Sequence, residues 1–568
     1  MKAPAPSTNP APRRPGLLAG ASRAPVCFCL LTLFMAAALA CFMDVPERDV
    51  ANRYAPMAEA FAGGSWAFAF HPRVPMFHSA LCGVLIRVLG VGGFTAAKMV
   101  SAACFAAAVF PLFGIMRRVF NDGIAAGSLL VYAVDPFLLR LSGSGLRENL
   151  KCLLLLMMVH AVFLIREDRR APWRYLYLGA ASGILMITRS EMILFSGLML
   201  FGVMVYEAFR ARFPWRSLAG TFLAAAIVCV PAVINDAIFS LPTPEVRYLT
   251  LFEAVAGRPP SLADSLLIAL AAPLLMTGAA AAVSRLFAGE RLKPMLIAAG
   301  IAFAAASVIL FVRQTLRTDD ELLFDVFLTF ERAFDPLWSV PALLGLAFRL
   351  RDREFSAAEG LLLVLIAVHT LIVVNQIVLY DRTVTFSVRY LIPVSPLGFG
   401  WTFCGVCVLA SLLGRLPGVK ARPAATVLLT AYVCGALFHC LGPLLKDYFE
   451  PRHKAVRRGT FRLAEIIRTN APAQTRALPP KFDSADYECA AAPGVFFEHD
   501  SKYCVAAYLA GGRMVRTLEN ADFYVTVPDS SDPETLPPAD GVWVPLDEPV
   551  PMGRGGCCTV YRRGEDAS

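Results

Sequence analysis

Charge is scarce in this chain: only 17% of its 568 residues are Asp, Glu, Lys or Arg, while 57% are hydrophobic. A water-soluble globular protein of this size has no way to bury so much apolar surface, so that class is excluded. Also missing is any stripe of basic residues interleaved with aromatics, so the net charge of +9 does not signal nucleic-acid binding. No internal repeat runs along the chain, which argues against a transporter built from inverted halves. Acidic residues cluster in one place, Asp319, Asp320, Glu321 and Asp325, and a solvated amphipathic helix explains them better than a metal site.

Long apolar runs are what the chain does have, and its mean hydropathy is +0.57. Runs near the bilayer-spanning length of about 20 residues recur at 26–44, 94–116, 123–140, 149–165, 174–188, 191–207, 217–235, 264–285, 294–313, 334–349, 356–380, 390–413 and 423–445. The expected fold is therefore an all-α polytopic membrane protein of about thirteen spans. Segment 75–90 is apolar but short and reads as a helix at the interface. Alternate loops are basic: Arg117/Arg118, Arg166/Arg169/Arg170/Arg174, Arg210/Arg212/Arg216, Arg349/Arg351/Arg353 and Arg415/Lys420/Arg422. The positive-inside rule assigns these to the cytoplasm, with the N-terminus inside and the C-terminus outside an inner, plasma membrane.

Three regions follow: a Pro-, Ala- and Arg-rich cytoplasmic N-terminus (1–25), expected to be disordered, a membrane domain (26–445), and an extracytoplasmic domain (446–568). In the last, Arg458–Arg468 has Phe461, Leu463, Ile466 and Ile467 on one helix side, and the runs 522–527 and 541–544 read as strands, so a small α/β module is expected. The fifteen cysteines lie mostly in apolar runs (Cys104, Cys152, Cys404, Cys407, Cys434), where they act as small buried hydrophobes. In the tail, Cys489 and Cys504 are placed to pair if the compartment is oxidising.

The loops on the outer side carry charges that are costly to hold against a membrane face. The first contains Glu47, Asp49, Arg53-Tyr54, Gly64-Ser65-Trp66 and His71-Pro72-Arg73; the second contains Arg147-Glu148; Arg389-Tyr390 precedes a late span. A carboxylate can act as a general base toward an acceptor hydroxyl, and arginine forks suit a phosphate. Each residue also has a plainer reading. Asp49 reads as a solvated acid or a partner of Arg48 or Arg53. Arg53 and Arg73 read as lipid-headgroup contacts, Glu148 as a helix-dipole acid, and Arg389 as a snorkelling helix-end cation. Arg189 and Glu191 read as a pair that stabilises a turn, and His71 and His78 as interface histidines.

In order along the chain, Asp49…Arg53-Tyr54, Gly64-Ser65-Trp66…Pro72/Pro75, Ser142-Gly143-Ser144-Gly145-Leu146-Arg147-Glu148, Gly183…Thr188-Arg189-Ser190-Glu191 and Arg389-Tyr390-Leu391-Ile392-Pro393…Pro396 form a series. With these motifs the chain resembles the GT-C superfamily of integral-membrane glycosyltransferases, in the branch of the protein O-mannosyltransferases and the lipid A aminoarabinose transferase. The resemblance implies an inverting hexosyl or pentosyl transfer from a polyprenyl-phosphate sugar to a lipid, glycan or protein acceptor outside the membrane. It implies Asp49 and Glu148 as catalytic carboxylates, Arg53, Arg73 and Arg389 on the donor phosphate, and Glu47, Tyr54 and Tyr390 in support. No cofactor is implied, and a divalent metal has no ligand set to support it. Ser190 stands where a proline is usual, and His71-Pro72-Arg73 where an aromatic-acid-Lys-Pro run is usual, which leaves sugar and acceptor open. The competing class is a membrane carrier or flippase for lipid-linked or anionic substrates. It fits less well, because the centres of the spans are nearly free of charge and the charges gather at one face.

Topology is directly testable. A reporter fused after Ser568 is expected to be active outside the cytoplasm and one inserted within 166–174 inside it; activity of both on one side would overturn the assignment of faces.

Overall fold

A computed structural model describes residues 23–64, 76–208 (except 169 and 190), 220–221, 224, 333–380, 388–415, 421–449 and 451–470. Within 494–563 it describes the segments 494–497, 505–509, 513–515, 523–526, 543–546, 548–551 and 557–563. The predicted spans 217–235, 264–285 and 294–313, the acidic cluster at 319–325, Arg73 with its neighbours, and the pair Cys489 and Cys504 lie outside the described residues.

The membrane domain is a bundle of helices whose bounds follow the apolar runs. These are α1 (Ala24–Phe42), α2 (Ala55–Gly63), α3 (Phe77–Leu89), α4 (Gly93–Ala107), α5 (Val109–Val119), α6 (Asp122–Val134), α7 (Pro136–Ser144), α8 (Glu148–Glu167), α9 (Pro172–Met186) and α10 (Glu191–Ala208). After them come α11 (Pro336–Arg351), α12 (Ala357–Tyr380), α13 (Phe399–Leu413) and α14 (Ala421–Phe449). Among the described residues five helical stretches are long and apolar enough to cross a membrane: α1, α4–α5, α8, the stretch Ile392–Leu413 and α14. The predicted span 123–140 is not one rod. It breaks between α6 and α7 with a bend of 54°, because Pro136 cannot continue α6 and Asp135 starts a new helix by accepting from the Leu138 N–H at 2.9 Å. Segment 75–90 forms the short helix α3, as its length predicts.

Large apolar side chains are exposed on α1 and α14, Phe34 at 71% and Phe438 at 80%, as expected of faces turned to lipid. Cys104, Cys152 and Cys404 are buried as anticipated, but Cys407 and Cys434 are exposed, because they fall on the outward sides of α13 and α14. Cys404 and Cys407 also stand in a Cys-x-x-Cys spacing, and both thiols are free.

Two devices hold the end of the bundle opposite the charged loops. Ser356 and Glu359 form a capping box at the start of α12: Ser356 N–H donates to Glu359 Oε2 (2.8 Å) and Glu359 N–H to Ser356 Oγ (3.2 Å). Arg349 of α11 (2.5 and 3.1 Å) and Trp401 of α13 (3.1 Å) donate to the same buried carboxylate, so three helices share one acid. Between α11 and α13 the backbones touch at glycine: a Cβ on Gly405 would lie 1.9 Å from the Pro341 carbonyl oxygen, and one on Gly345 2.1 Å from that of Trp401. Small residues at membrane-helix contacts permit this approach.

The described segments of the tail are helices and short strands. Helix α15 (Pro451–Asn470) and the short α16 (Val505–Leu509) accompany strands β1 (Gly494–Phe497), β2 (Arg513–Val515), β3 (Phe523–Val525), β4 (Trp543–Pro545), β5 (Val550–Pro551), β6 (Cys557–Cys558) and β7 (Val560–Arg563). The main sheet has the order β2-β1-β3-β7-β4, with β1 parallel to both neighbours and β7 antiparallel to its own. Leu463, Ala464, Ile466 and Ile467 of α15 join Ala506, Phe523, Val525 and Val560 in a separate apolar core. Phe461, expected on that face, is 39% exposed, and Ala464 takes its place.

The glycine contact gives a stability prediction. Gly405→Ala should destabilise the detergent-purified protein by about 1–3 kcal/mol, the usual cost of overpacking, seen as a lower unfolding midpoint. An unchanged midpoint would mean that α11 and α13 do not approach through Gly405.

Candidate active site

The charged loops converge. After α1 the chain makes a turn in which the Glu47 carbonyl accepts from Val50 and Ala51 N–H groups, both at 2.9 Å. A π-helical turn, Val50–Tyr54, then runs directly into α2. Such turns are rare and concentrate at functional sites. This one carries Asp49 at its start and Arg53 and Tyr54 at its end.

Asp49, half-buried, forms an ion pair with Arg389, and Arg53 lies 3.9 Å from its other oxygen. Arg389 comes from a 3₁₀ turn, Val388–Tyr390, immediately before the stretch that leads into α13. Its Nε is 3.9 Å from Oε1 of Glu148, the first residue of α8. Glu148 is fully buried and accepts from Arg189 at 3.1 Å. Arg189 and Arg389 stand over the Tyr390 ring, at 4.5 and 5.4 Å from its centre. Arg147 lies over the Tyr54 ring at 5.2 Å and donates to the Thr188 carbonyl at 3.2 Å. Lys151, one turn into α8 and fully buried, donates to the Tyr390 carbonyl at 3.0 Å and so fastens the segment that bears Arg389. His78 is buried as well, its ring edge-on to Tyr54 at 5.5 Å, rather than lying on the interface surface.

Opposite charges set the protonation states. Burial pushes the Asp49 carboxyl up, but Arg389, Arg53 and Arg147 outweigh it and hold the pKa below the ordinary carboxylate value. Burial works against the Arg389 cation, and Glu148 and Asp49 more than offset it, so its pKa is raised. Burial also raises the Tyr54 phenol. At neutral pH, Asp49 and Arg389 are both ionised.

Of the residues singled out in the sequence, Asp49, Arg53, Tyr54, Glu148, Arg389 and Tyr390 stand together in this cluster. Glu47 is exposed and contributes its backbone carbonyl to the turn; its carboxylate is not among the ion pairs of the described residues. Arg73 lies outside the described residues. Arg189, read as the partner of Glu191, pairs with Glu148, far away in sequence; the side chain of Glu191 lies outside the described residues. Lys151 carried no signal beyond a lone cation in the first turn of an apolar run. Arg147 stood beside Glu148 in the sequence but was not assigned a role.

Among the described residues the cluster contains two carboxylates, Asp49 and Glu148, against five cations, the exposed Arg53 and the more enclosed Arg147, Arg189, Arg389 and Lys151. Arg147 makes no ion pair among the described residues, and its buried Nε has no hydrogen-bond partner there. Positive charge in such excess, partly withdrawn from solvent, suits an anion. Metal-ligating side chains do not gather in threes among the described residues. Both carboxylates of the cluster face arginines, so the donor set does not fit a metal.

The fold of this integral membrane protein is similar to that of solved membrane-embedded enzymes. Residues 71–234 match the family model described as dolichyl-phosphate-mannose-protein mannosyltransferase. ArnT from Cupriavidus metallidurans bound to undecaprenyl phosphate superposes with a TM-score of 0.52 at 13% identity, over 94% of this chain and 97% of that one. The oligosaccharyltransferase AglB from Archaeoglobus fulgidus, in complex with an inhibitory peptide and a dolichol-phosphate, gives a TM-score of 0.54 at 12% identity, over 88% of this chain and 69% of that one. The chain thus spans about two thirds of the archaeal enzyme's length. No curated protein matches the sequence.

Burial of Glu148 makes it the cluster's structural anchor. Glu148→Gln should cost about 3–5 kcal/mol by leaving buried arginine charge unbalanced, whereas Glu47→Gln should shift stability by less than about 0.5 kcal/mol. Unfolding of the purified protein measures both, and equal effects would contradict the assignment. The pH dependence has a definite sign. The folded-state pKa of Asp49 is depressed, so its contribution to stability is present above the ordinary carboxylate value of about 3.9 and is lost as pH falls through the folded value. Acid unfolding of Asp49→Asn should accordingly be less steep than that of the unaltered protein.

Proposed function

We propose that this protein is a membrane glycosyltransferase that takes a sugar from a polyprenyl-phosphate donor and passes it, with inversion, to an acceptor outside the inner membrane. The observation that carries this reading is the excess of cations over carboxylates among the described residues around Asp49 and Arg389. A polyprenyl-phosphate sugar bears a single negative charge that grows as the phosphate leaves, and the surplus arginines suit both states. The solved relatives of this fold hold dolichol-phosphate and undecaprenyl phosphate, which supports the same donor class.

In the proposed reaction the acceptor hydroxyl attacks the anomeric carbon and gives its proton to Asp49. The bond between that carbon and the phosphate oxygen breaks, and its electron pair stays on the phosphate, balanced by Arg389 and Arg53 with Arg147 in support. Asp49 is a weak base while it is paired with Arg389. A donor phosphate that draws Arg389 away raises the Asp49 pKa, so the base strengthens once the donor is in place. Glu148 keeps Arg189 and Arg389 in position. The sugar, whether hexose or pentose, and the acceptor, whether lipid, glycan or protein, are set by contacts beyond this cluster.

A carrier for anionic lipids needs the same arginines but no base. Among the described residues the ionised groups of the bundle helices α1 to α14 lie in their first or last two turns or near the break at Asp135, not along a path through the bundle, which favours transfer chemistry.

The test separates base from clamp. Asp49→Asn should lose transfer by about 10²-fold or more, on the scale of general-base loss, yet bind undecaprenyl phosphate at least as tightly, because Arg389 no longer has a competing carboxylate. Arg389→Ala should weaken that binding. Transfer at the full rate in Asp49→Asn would defeat the mechanism, and tight binding in Arg389→Ala would remove the phosphate clamp.

A further inference from the structure

The tail reaches the charged loop by two independent contacts. Arg457, in the first half of α15, forms an ion pair with Asp44, two residues beyond the end of α1. The short helix α16 packs against the π-helical turn Val50–Tyr54 itself. These contacts belong to one body: the second half of α15 contributes Leu463, Ala464, Ile466 and Ile467 to the tail's apolar core, and α16 contributes Ala506 to it. Helix α15 also packs on α14, the last helix of the membrane domain, so it joins bundle, loop and tail core in a single rod.

The segment from Met43 to Asp49 is held from both sides. From the membrane domain, Lys98 of α4 donates to the carbonyls of Ala40 (3.0 Å) and Met43 (3.1 Å), closing the end of α1. From the tail, Arg457 takes the Asp44 side chain. Five residues after Asp44 stands Asp49, and only a turn anchored on the Glu47 carbonyl lies between them. A shift of the Asp44 anchor is passed to Asp49 with little chain to absorb it. A general base must be held to within a fraction of an ångström of its working position.

From this geometry we infer that the C-terminal domain is a positioning element for the loop that bears Asp49, and that Arg457 is the residue through which it acts, by way of Asp44. Arg457 acts through Asp44 and sets where Asp49 stands relative to Arg389. The tail is in this role part of the site's construction, and a ligand or acceptor that moves α15 also moves Asp49.

The inference concerns the loop's order and needs no substrate; only its second readout rests on the function proposed above. Hydrogen exchange is measured on full-length protein in nanodiscs. Amides in 47–58 should exchange at least tenfold faster in Arg457→Ala and in the isosteric Asp44→Asn, while those of Glu148–Glu167 stay as they were. The exchanged pair Asp44→Arg with Arg457→Asp should restore slow exchange in the loop. Undecaprenyl phosphate binding should weaken in both single variants and recover in the exchanged pair. Unchanged loop exchange in Asp44→Asn and Arg457→Ala, or acceleration spread equally over Glu148–Glu167, would overturn the inference. Failure of the unaltered protein to bind undecaprenyl phosphate would count against the proposed donor and leave the exchange result to decide the positioning role.

Discussion

The ion pair between Asp49 and Arg389 is the contact on which the rest of the site depends. It joins the first loop after α1 to the turn that precedes the last part of the bundle, two stretches far apart in the chain. An unpaired charge at the edge of a bilayer is costly, so each of these segments needs the other to settle at this depth. Glu148 extends the same logic inward. Fully buried, it is tolerated because Arg189 and Arg389 face it, and those arginines in turn rest on the Tyr390 ring. Four segments are thereby fixed around one patch of charge, and Lys151 pins the backbone of the fourth. The opposite end of the bundle uses the same device for a plainer purpose: Glu359 there is satisfied by its own helix start, by Arg349 and by Trp401, and Arg349 is shared with Glu354, so cations are not in excess among the described residues there.

That contrast separates a structural acid from a working site. Around Glu359 the donors present satisfy a single carboxylate through hydrogen bonds from three helices. Around Asp49 and Glu148 the cations outnumber the acids, and Arg147 has a buried Nε with no hydrogen-bond partner among the described residues. Electrostatic sites that act on a developing negative charge are built in this way, with donors fixed before the charge appears. On the proposed reading, the free site holds its base in check through Arg389, and the donor phosphate releases it.

Much of this was legible in the sequence, for a physical reason. In an apolar chain the few charged residues in short loops stand out, so Asp49, Arg53, Glu148 and Arg389 were found before any geometry, along with the tyrosines beside them. The helices followed from run lengths, and the tail from its change in composition. Pairing between distant segments was not legible. Arg189 has an acid two residues away, and local reading stopped at Glu191, where the fold also brings Glu148 to it. Lys151 gave no pattern to read. The π-helical turn has no sequence signature, and the bend at Asp135-Pro136 falls inside the run 123–140, which read as a single span. Glu47 was the next acid by position alone; the turn directs it away because its carbonyl, rather than its carboxylate, is what the loop needs. Phe461 shows the same limit on a smaller scale, since a helical period places a residue on a face without saying how wide the buried stripe is.

The central claim is that the Asp49–Arg389 pair is a phosphate site held closed by its own carboxylate. The most direct measurement is a cryo-electron-microscopy structure of the protein in nanodiscs with undecaprenyl phosphate. The account predicts the lipid phosphate against Arg389, with Arg53 or Arg147 as a second partner and the Asp49 carboxylate released toward the acceptor side. A phosphate bound elsewhere, with Arg389 still paired to Asp49, would contradict it.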